Sequence, residues 1–157
     1  MVSIQRELER MKKEAAKHLE NAIFLAQKKK MEEARKEIEK ALEIYPNYAE
    51  AYYYLGIGLT EMGLIDEGIK ALDRALEIEP EYVEALNRKG IAFQRKGMMK
   101  EAIEEYKKAL ERNPMYAEAH LNLGLTLLEC AITEFEKVLR IEPENEIARE
   151  KLERLKA

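Results

Sequence analysis

The four prolines of this chain constrain its fold more than any other feature. They stand at positions 46, 80, 114 and 143, at successive intervals of 34, 34 and 29 residues. Each lies in a recurring segment: YPNYAEA at 45–51, EPEYVEA at 79–85, NPMYAEA at 113–119 and a decayed EPENEIA at 142–148. A structural unit that recurs at such a step cannot bury its apolar face alone. It stacks on its neighbours and forms an array.

Further columns follow the same step. Small residues recur at Ala22, Gly56, Gly90 and Gly124, at Ala34, Gly68, Ala102 and Ala131, and at Ala41, Ala75, Ala109 and the larger Val138. Small side chains at one height on successive helices let their backbones approach closely. A column of large apolar residues alternates with them: Ile38, Leu72, Tyr106 and Phe135. The periodicity predicts helix pairs over 49–62 and 65–78, with Gly63 at the turn, and over 83–96 and 99–112, with Gly97 at the turn. Glycine there suits a left-handed helix exit. In the first pair that column holds Lys29, which predicts a slightly strained turn. Proline after each second helix stops its continuation.

Period, punctuation and small columns together make the chain resemble the tetratricopeptide repeat family over about residues 15–148. It departs from the family where a tryptophan is usual; that column reads His18, Tyr52, Leu86 and His120. The resemblance implies an all-α, right-handed superhelical solenoid of helix–turn–helix repeats. The expected divisions are an N-terminal extension at 3–14, repeats at 15–48, 49–82, 83–116 and 117–145, and a capping helix at 146–157.

The ends are unusual. Ser3 is a candidate N-cap, and Ile4, Leu8, Met11, Ala15 and Leu19 follow at helical spacing, predicting a first helix over about 3–29. This extension reads either as a longer cap or as a helix that binds a partner. The tail predicts a helix over 144–156, with Ile147, Leu152 and Leu155 covering the last repeat.

The short interval is the other departure. Five residues are missing where the fourth turn should be, and nothing from Leu125 to Arg140 breaks a helix. One continuous helix is expected over about 117–140. Along it Leu121, Leu125, Leu128, Ile132, Phe135 and Leu139 are spaced 4, 3, 4, 3 and 4, the seam of a packed helix pair. A straight helix cannot fold its second half onto its first. Phe135, Val138 and Leu139 are therefore expected to stay exposed unless another chain covers them, which points to a domain-swapped homodimer. A tight turn at Glu129–Cys130 is the competing reading. Cys130 itself reads as a small, half-buried side chain.

In the family, the first helices of the pairs line the concave face. The residues expected there are Leu19, Ile23, Tyr53, Tyr54, Ile57, Asn87, Arg88, Ile91, Asn122 and Leu125. Such a surface suits an amphipathic helix or an extended segment with apolar anchors, and Tyr53 and Tyr54 are the expected hot spots. Some family members clamp a chaperone's C-terminal carboxylate with Lys, Asn and Arg. The corresponding positions here are Leu19, Ile23, Tyr54, Glu84 and Arg88, of which only Arg88 matches. Chaperone-tail binding is not expected.

Composition excludes other classes. Net charge is −4, and residues 1–30 carry 8 Lys/Arg against 4 Asp/Glu, leaving an acidic body that does not suit nucleic acid. One cysteine makes no disulfide framework, and MVSIQRELERMKK lacks the apolar core of a signal peptide. The expectation is a cytoplasmic protein without a membrane segment. His18 and His120 sit in a packing column, and nothing supplies a zinc site, a phosphate loop or a nucleophile, so no catalytic residue, metal or cofactor is expected. The expected function is a scaffold that binds protein or peptide and forms a homodimer. The alternative is a pure homodimerisation module, or an engineered folding model, with no external ligand.

Overall fold

The computed structural model describes residues 1–157 as eight α-helices without strands. They are α1 (Val2–Gln27), α2 (Met31–Ile44), α3 (Ala49–Glu61), α4 (Ile65–Ile78), α5 (Val83–Arg95), α6 (Met99–Arg112), α7 (Ala117–Ile141) and α8 (Glu146–Lys156). Each helix packs on the next, so the array is a nearest-neighbour stack.

Three hairpins, α1–α2, α3–α4 and α5–α6, close with one backbone geometry. In the second, Leu64 N donates to Leu59 O at 2.9 Å and Gly63 N donates to Thr60 O at 3.1 Å. The third repeats this with Met98 to Phe93 and Gly97 to Gln94, and the first with Lys30 to Leu25 and Lys29 to Ala26. The paired bonds satisfy carbonyls at the helix end and require a left-handed residue between helices. Gly63 and Gly97 take φ +82, whereas Lys29 takes φ +59. A side chain in that region costs about 1–2 kcal/mol, which is the strain expected of the first turn.

Proline marks the other connections. Tyr82 N donates to Glu79 O, Tyr116 N to Asn113 O and Asn145 N to Glu142 O, each a four-residue turn with proline second. The fixed φ of proline preorganises that position. At Asn145 the side chain also accepts from Ala148 N at 3.0 Å and caps α8. The last helix therefore begins two residues later than the sequence periodicity indicates. At the other end Ser3 is not the cap: α1 begins at Val2, so Ser3 lies in its first turn.

Close approach of the paired helices follows the small columns. A Cβ built on Gly56 would stand 2.6 Å from Leu72 Cγ, and one on Gly90 would stand 2.7 Å from Tyr106 Cδ1. The large apolar side chain of the second helix thus seats directly on the glycine of the first. Leu72 and Tyr106 are fully buried as a result. Three core clusters lie along the stack, and each reaches into the next repeat: Leu19, Ala22, Ala34, Ile38 and Ala51; Leu72, Ala75 and Ala85; and Leu86, Ala109 and Ala119.

The histidine column packs differently in each place. His18 is half-buried, with Nδ1 2.7 Å from Glu37 Oε2, while His120 is exposed and its Nε2 lies 2.8 Å from Pro114 O. Hydrogen bonds from His18 and then Lys40 hold the Glu37 carboxyl down at about 2, against an ordinary 4.5. A depressed carboxyl stabilises the fold fully above its unfolded pKa and loses that contribution as pH falls through the folded value. Stability should therefore fall between about pH 4.5 and 2. Glu37→Gln should flatten that part of the curve in acid titrations followed by circular dichroism, and an unchanged curve would assign the acid sensitivity elsewhere.

Helix α7 has no turn. It runs unbroken through Glu129 and Cys130 to Ile141, and the fourth repeat contains no hairpin. Its second half does not stay bare as expected. Helix α8 folds back on it, leaving Phe135, Val138 and Leu139 half-buried, and Lys156 Nζ pairs with Glu136 at 2.7 Å. Ala148 of α8 is buried and Leu152 and Leu155 are half-buried, while Ile147 is 70% exposed and does not cover the last repeat.

Candidate functional site

Helices α1, α3, α5 and α7 contact one another in series, whereas α2, α4 and α6 do not. The first helix of each pair therefore lies on the inner side of the curve. The middle of this face is aromatic. Tyr53 stacks on Tyr82, with ring centroids 5.0 Å apart and planes at 29°, and meets Tyr54 edge-on at 5.1 Å. Arg88 approaches Glu118 at 3.7 Å and so links α5 to α7.

Burial, then the nearby carboxylates, raises the hydroxyls of Tyr54 and Tyr82 above the ordinary tyrosine value. Tyr116 is pushed up to about 12 by burial first and by its contact with Glu118. These phenols remain protonated donors at neutral pH. Glu50, Glu84 and Glu118 recur at the second position of α3, α5 and α7 and give the face an acidic edge.

The face differs in part from the one expected. Ile23, Tyr53, Tyr54, Ile57, Arg88, Ile91 and Asn122 are half-buried, as lining residues are, and Leu125 is exposed. Leu19 and Asn87 are not available: Leu19 belongs to the first core cluster, and Asn87 is fully buried beneath Asn122, whose Nδ2 donates to its Oδ1 at 3.0 Å. Tyr82 and Tyr116 join the face and were not expected there. Their signal is recurrence at 34 residues in the proline segments, where they read as punctuation before a helix.

An apolar recess opens beside this face between the first two repeats. Its cavity is about 60 Å³ and its walls include Ile23, Met31, Tyr54, Ile57 and Met62. The corresponding gap in the next repeat, around Ile57, Leu72 and Ile91, holds about 10 Å³. Recess and tyrosines together present apolar anchors beside hydrogen-bond donors, which is the chemistry of peptide capture.

A separate apolar surface lies on α7. Leu121 is 62% exposed, Leu125 51%, Leu127 49% and Leu128 38%. Leu121, Leu125 and Leu128 share one face of the helix, Leu127 stands about a quarter-turn round from Leu128, and nothing folds back over this half of α7. Ile132, Phe135 and Leu139 continue that seam beneath α8 as half-buried residues. The exposed portion thus lies N-terminal to the one expected, and includes Leu127.

Comparison with known proteins agrees with this architecture. Residues 24–89 match the family described as Tetratricopeptide repeat, and residues 95–129 match the family described as TPR repeat. No curated protein sequence matches. Among solved structures, the first TPR of Spaghetti (RPAP3) bound to HSP90 peptide SRMEEVD is similar, with a TM-score of 0.72 at 19% identity over 76% of this chain and 95% of that one. The Arabidopsis OM64 TPR domain gives a TM-score of 0.69 at 18% identity over 74% and 96%. At such identities the likeness establishes the fold. With its repeat period, its hairpin geometry and these matches, the chain belongs to the tetratricopeptide repeat family.

Proposed function

We propose that this protein is an interaction scaffold that holds a helical or extended peptide segment on its inner face and associates with a second copy of itself through α7. The observation that carries the first part is the tyrosine cluster of α3 and α5 beside an open apolar recess. Tyr53, Tyr54 and Tyr82 offer rigid aromatic area with phenolic hydroxyls, and the recess takes one aliphatic anchor. Similarity to a structure bound to an HSP90 peptide supports peptide as the ligand class.

The acidic tail in that structure is a poor candidate here. Glu84 stands where a carboxylate clamp needs a cation, and Glu50 and Glu118 flank it. An apolar segment with basic flanks fits this edge better. The second part of the proposal rests on Leu121, Leu125 and Leu128, exposed together on one face of α7, since an apolar patch of this kind marks an interface.

The test is selection of peptides from a displayed random library, followed by anisotropy titration. Selected peptides should carry an aliphatic or aromatic anchor near Lys or Arg, and SRMEEVD should show no saturable binding. Ile57→Glu places a carboxylate in the wall of the recess and should weaken binding by at least about thirtyfold, the size of a hot-spot loss. Equal affinity of the Ile57→Glu variant for the selected peptides would overturn the groove assignment.

A further inference from the structure

The fourth repeat holds a socket and a side chain that fits it, on one helix that cannot bring them together. In the complete hairpins, Gly56 receives Leu72, and Gly90 receives Tyr106, the ring that a Cβ at 90 would strike. The same columns place Phe135 against Gly124. Yet a Cβ on Gly124 would meet nothing within 4 Å. The two positions lie on the continuous α7, and at 1.5 Å per residue they are roughly 16 Å apart along its axis.

The register of the complete hairpins shows what would fill the socket. Gly56 and Leu72, and likewise Thr60 and Gly68, are neighbours placed symmetrically about Leu64. Gly90 and Tyr106 are placed symmetrically about Met98. In the fourth repeat the matching pairs, Gly124 with Phe135 and Leu128 with Ala131, are symmetric about the Glu129–Cys130 peptide. Two α7 helices crossed antiparallel with a two-fold axis at that peptide would form every one of these contacts twice. The same register sets Leu121 against Val138 and Leu127 against Ile132, so three of the four exposed leucines gain apolar partners.

We infer that a second copy of this chain completes the fourth repeat: Phe135 of each copy seats on Gly124 of the other, and each array ends in the second half of its partner's α7 with the attached α8. A two-fold exchange closes on itself and leaves no unpaired seam for further growth. This inference rests on the self-association reading and specifies its register. It also gives the five-residue deficit a physical role, because a hinge too short to turn back is a route to exchange between copies.

Sedimentation equilibrium on the full chain and three variants tests the pairing. The parent should sediment as a dimer of the 18.3 kDa chain. Gly124→Phe leaves two rings contending for one socket and should weaken the dimer at least about tenfold, within the range of contact couplings. Phe135→Ala empties the socket and should also weaken it. The double variant Gly124→Phe/Phe135→Ala moves the ring to the opposite side of each pair and should recover most of the parental affinity. Because position 124 is open in the single chain, Gly124→Ala should leave the dissociated chain, unfolded thermally at concentrations too low for pairing, at least as stable as the parent's, while its added methyl weakens the dimer. A parental dimer whose double variant is no stronger than the singles would overturn this register while keeping self-association. A parent that is monomeric at every concentration would overturn both.

Discussion

Replacing Tyr106 by alanine should destabilise the array by about 3–5 kcal/mol, the usual cost of deleting a buried aromatic ring. The ring is fully buried, packs directly against Gly90, and its hydroxyl donates to Gln94 Oε1 at 3.0 Å. Gly90 has no side chain that could move into the space. Thr126 Oγ1 lies 3.1 Å from the same Gln94 oxygen, so the loss reaches the contact between the third repeat and α7. The midpoint of thermal unfolding, followed by circular dichroism, should fall by roughly 10 °C for a chain of this length. Tyr106→Phe keeps the ring and should cost only about 1 kcal/mol. A midpoint within about 2 °C of the parent for Tyr106→Ala would show that the ring is not a keystone of this stack.

Tyr106 also shows why so much of the fold is legible in sequence. Each repeat must place a large side chain on a small one at a fixed offset, so the packing rule is written as columns 34 residues apart. Leu72 on Gly56 and Tyr106 on Gly90 obey it, and so do the left-handed exits at Gly63, Gly97 and the strained Lys29. Contacts between repeats are less legible. Asn87 reads as a groove residue from its position on α5, yet Asn122 lies across it from the next helix. No period within one helix encodes that cover. Leu19 is lost to the core for the same reason, through contact with α2 and α3. Tyr82 and Tyr116 hid among residues that mark helix starts, although Tyr82 stacks on Tyr53 and the Tyr116 hydroxyl donates to Glu118 at the acidic edge of the face. At the C-terminal end the missing turn predicts the continuous helix, but not that α8 would fold back on its second half. Burial of Phe135 depends on that last short helix, and exposure therefore shifts to Leu121, Leu125, Leu127 and Leu128.

Inserting Glu-Met-Gly-Leu-Ile, the segment at 61–65, between Leu128 and Glu129 should turn α7 into a hairpin and the protein into a monomer. The insertion restores the 34-residue interval before Pro143 and supplies a glycine at the position that takes φ +82 in α3–α4. Phe135 would then reach Gly124 within its own chain, as Leu72 reaches Gly56. Leu121, Leu127 and Leu128 would be covered by the returning helix. Full burial of a leucine is worth about 1.5–3 kcal/mol, so covering these partly exposed side chains should stabilise the single chain by a few kcal/mol. Light scattering separates the two states by mass, and the concentration dependence of unfolding gives an independent reading. A parent held together by exchange should melt at higher temperature as concentration rises, because association stabilises by mass action. The inserted chain should melt at one temperature throughout. If the inserted chain keeps the parent's mass and its concentration dependence, the copies meet somewhere other than α7. The exposed leucines would then need a different partner, and the basic, solvent-facing start of α1 would be the next surface to alter.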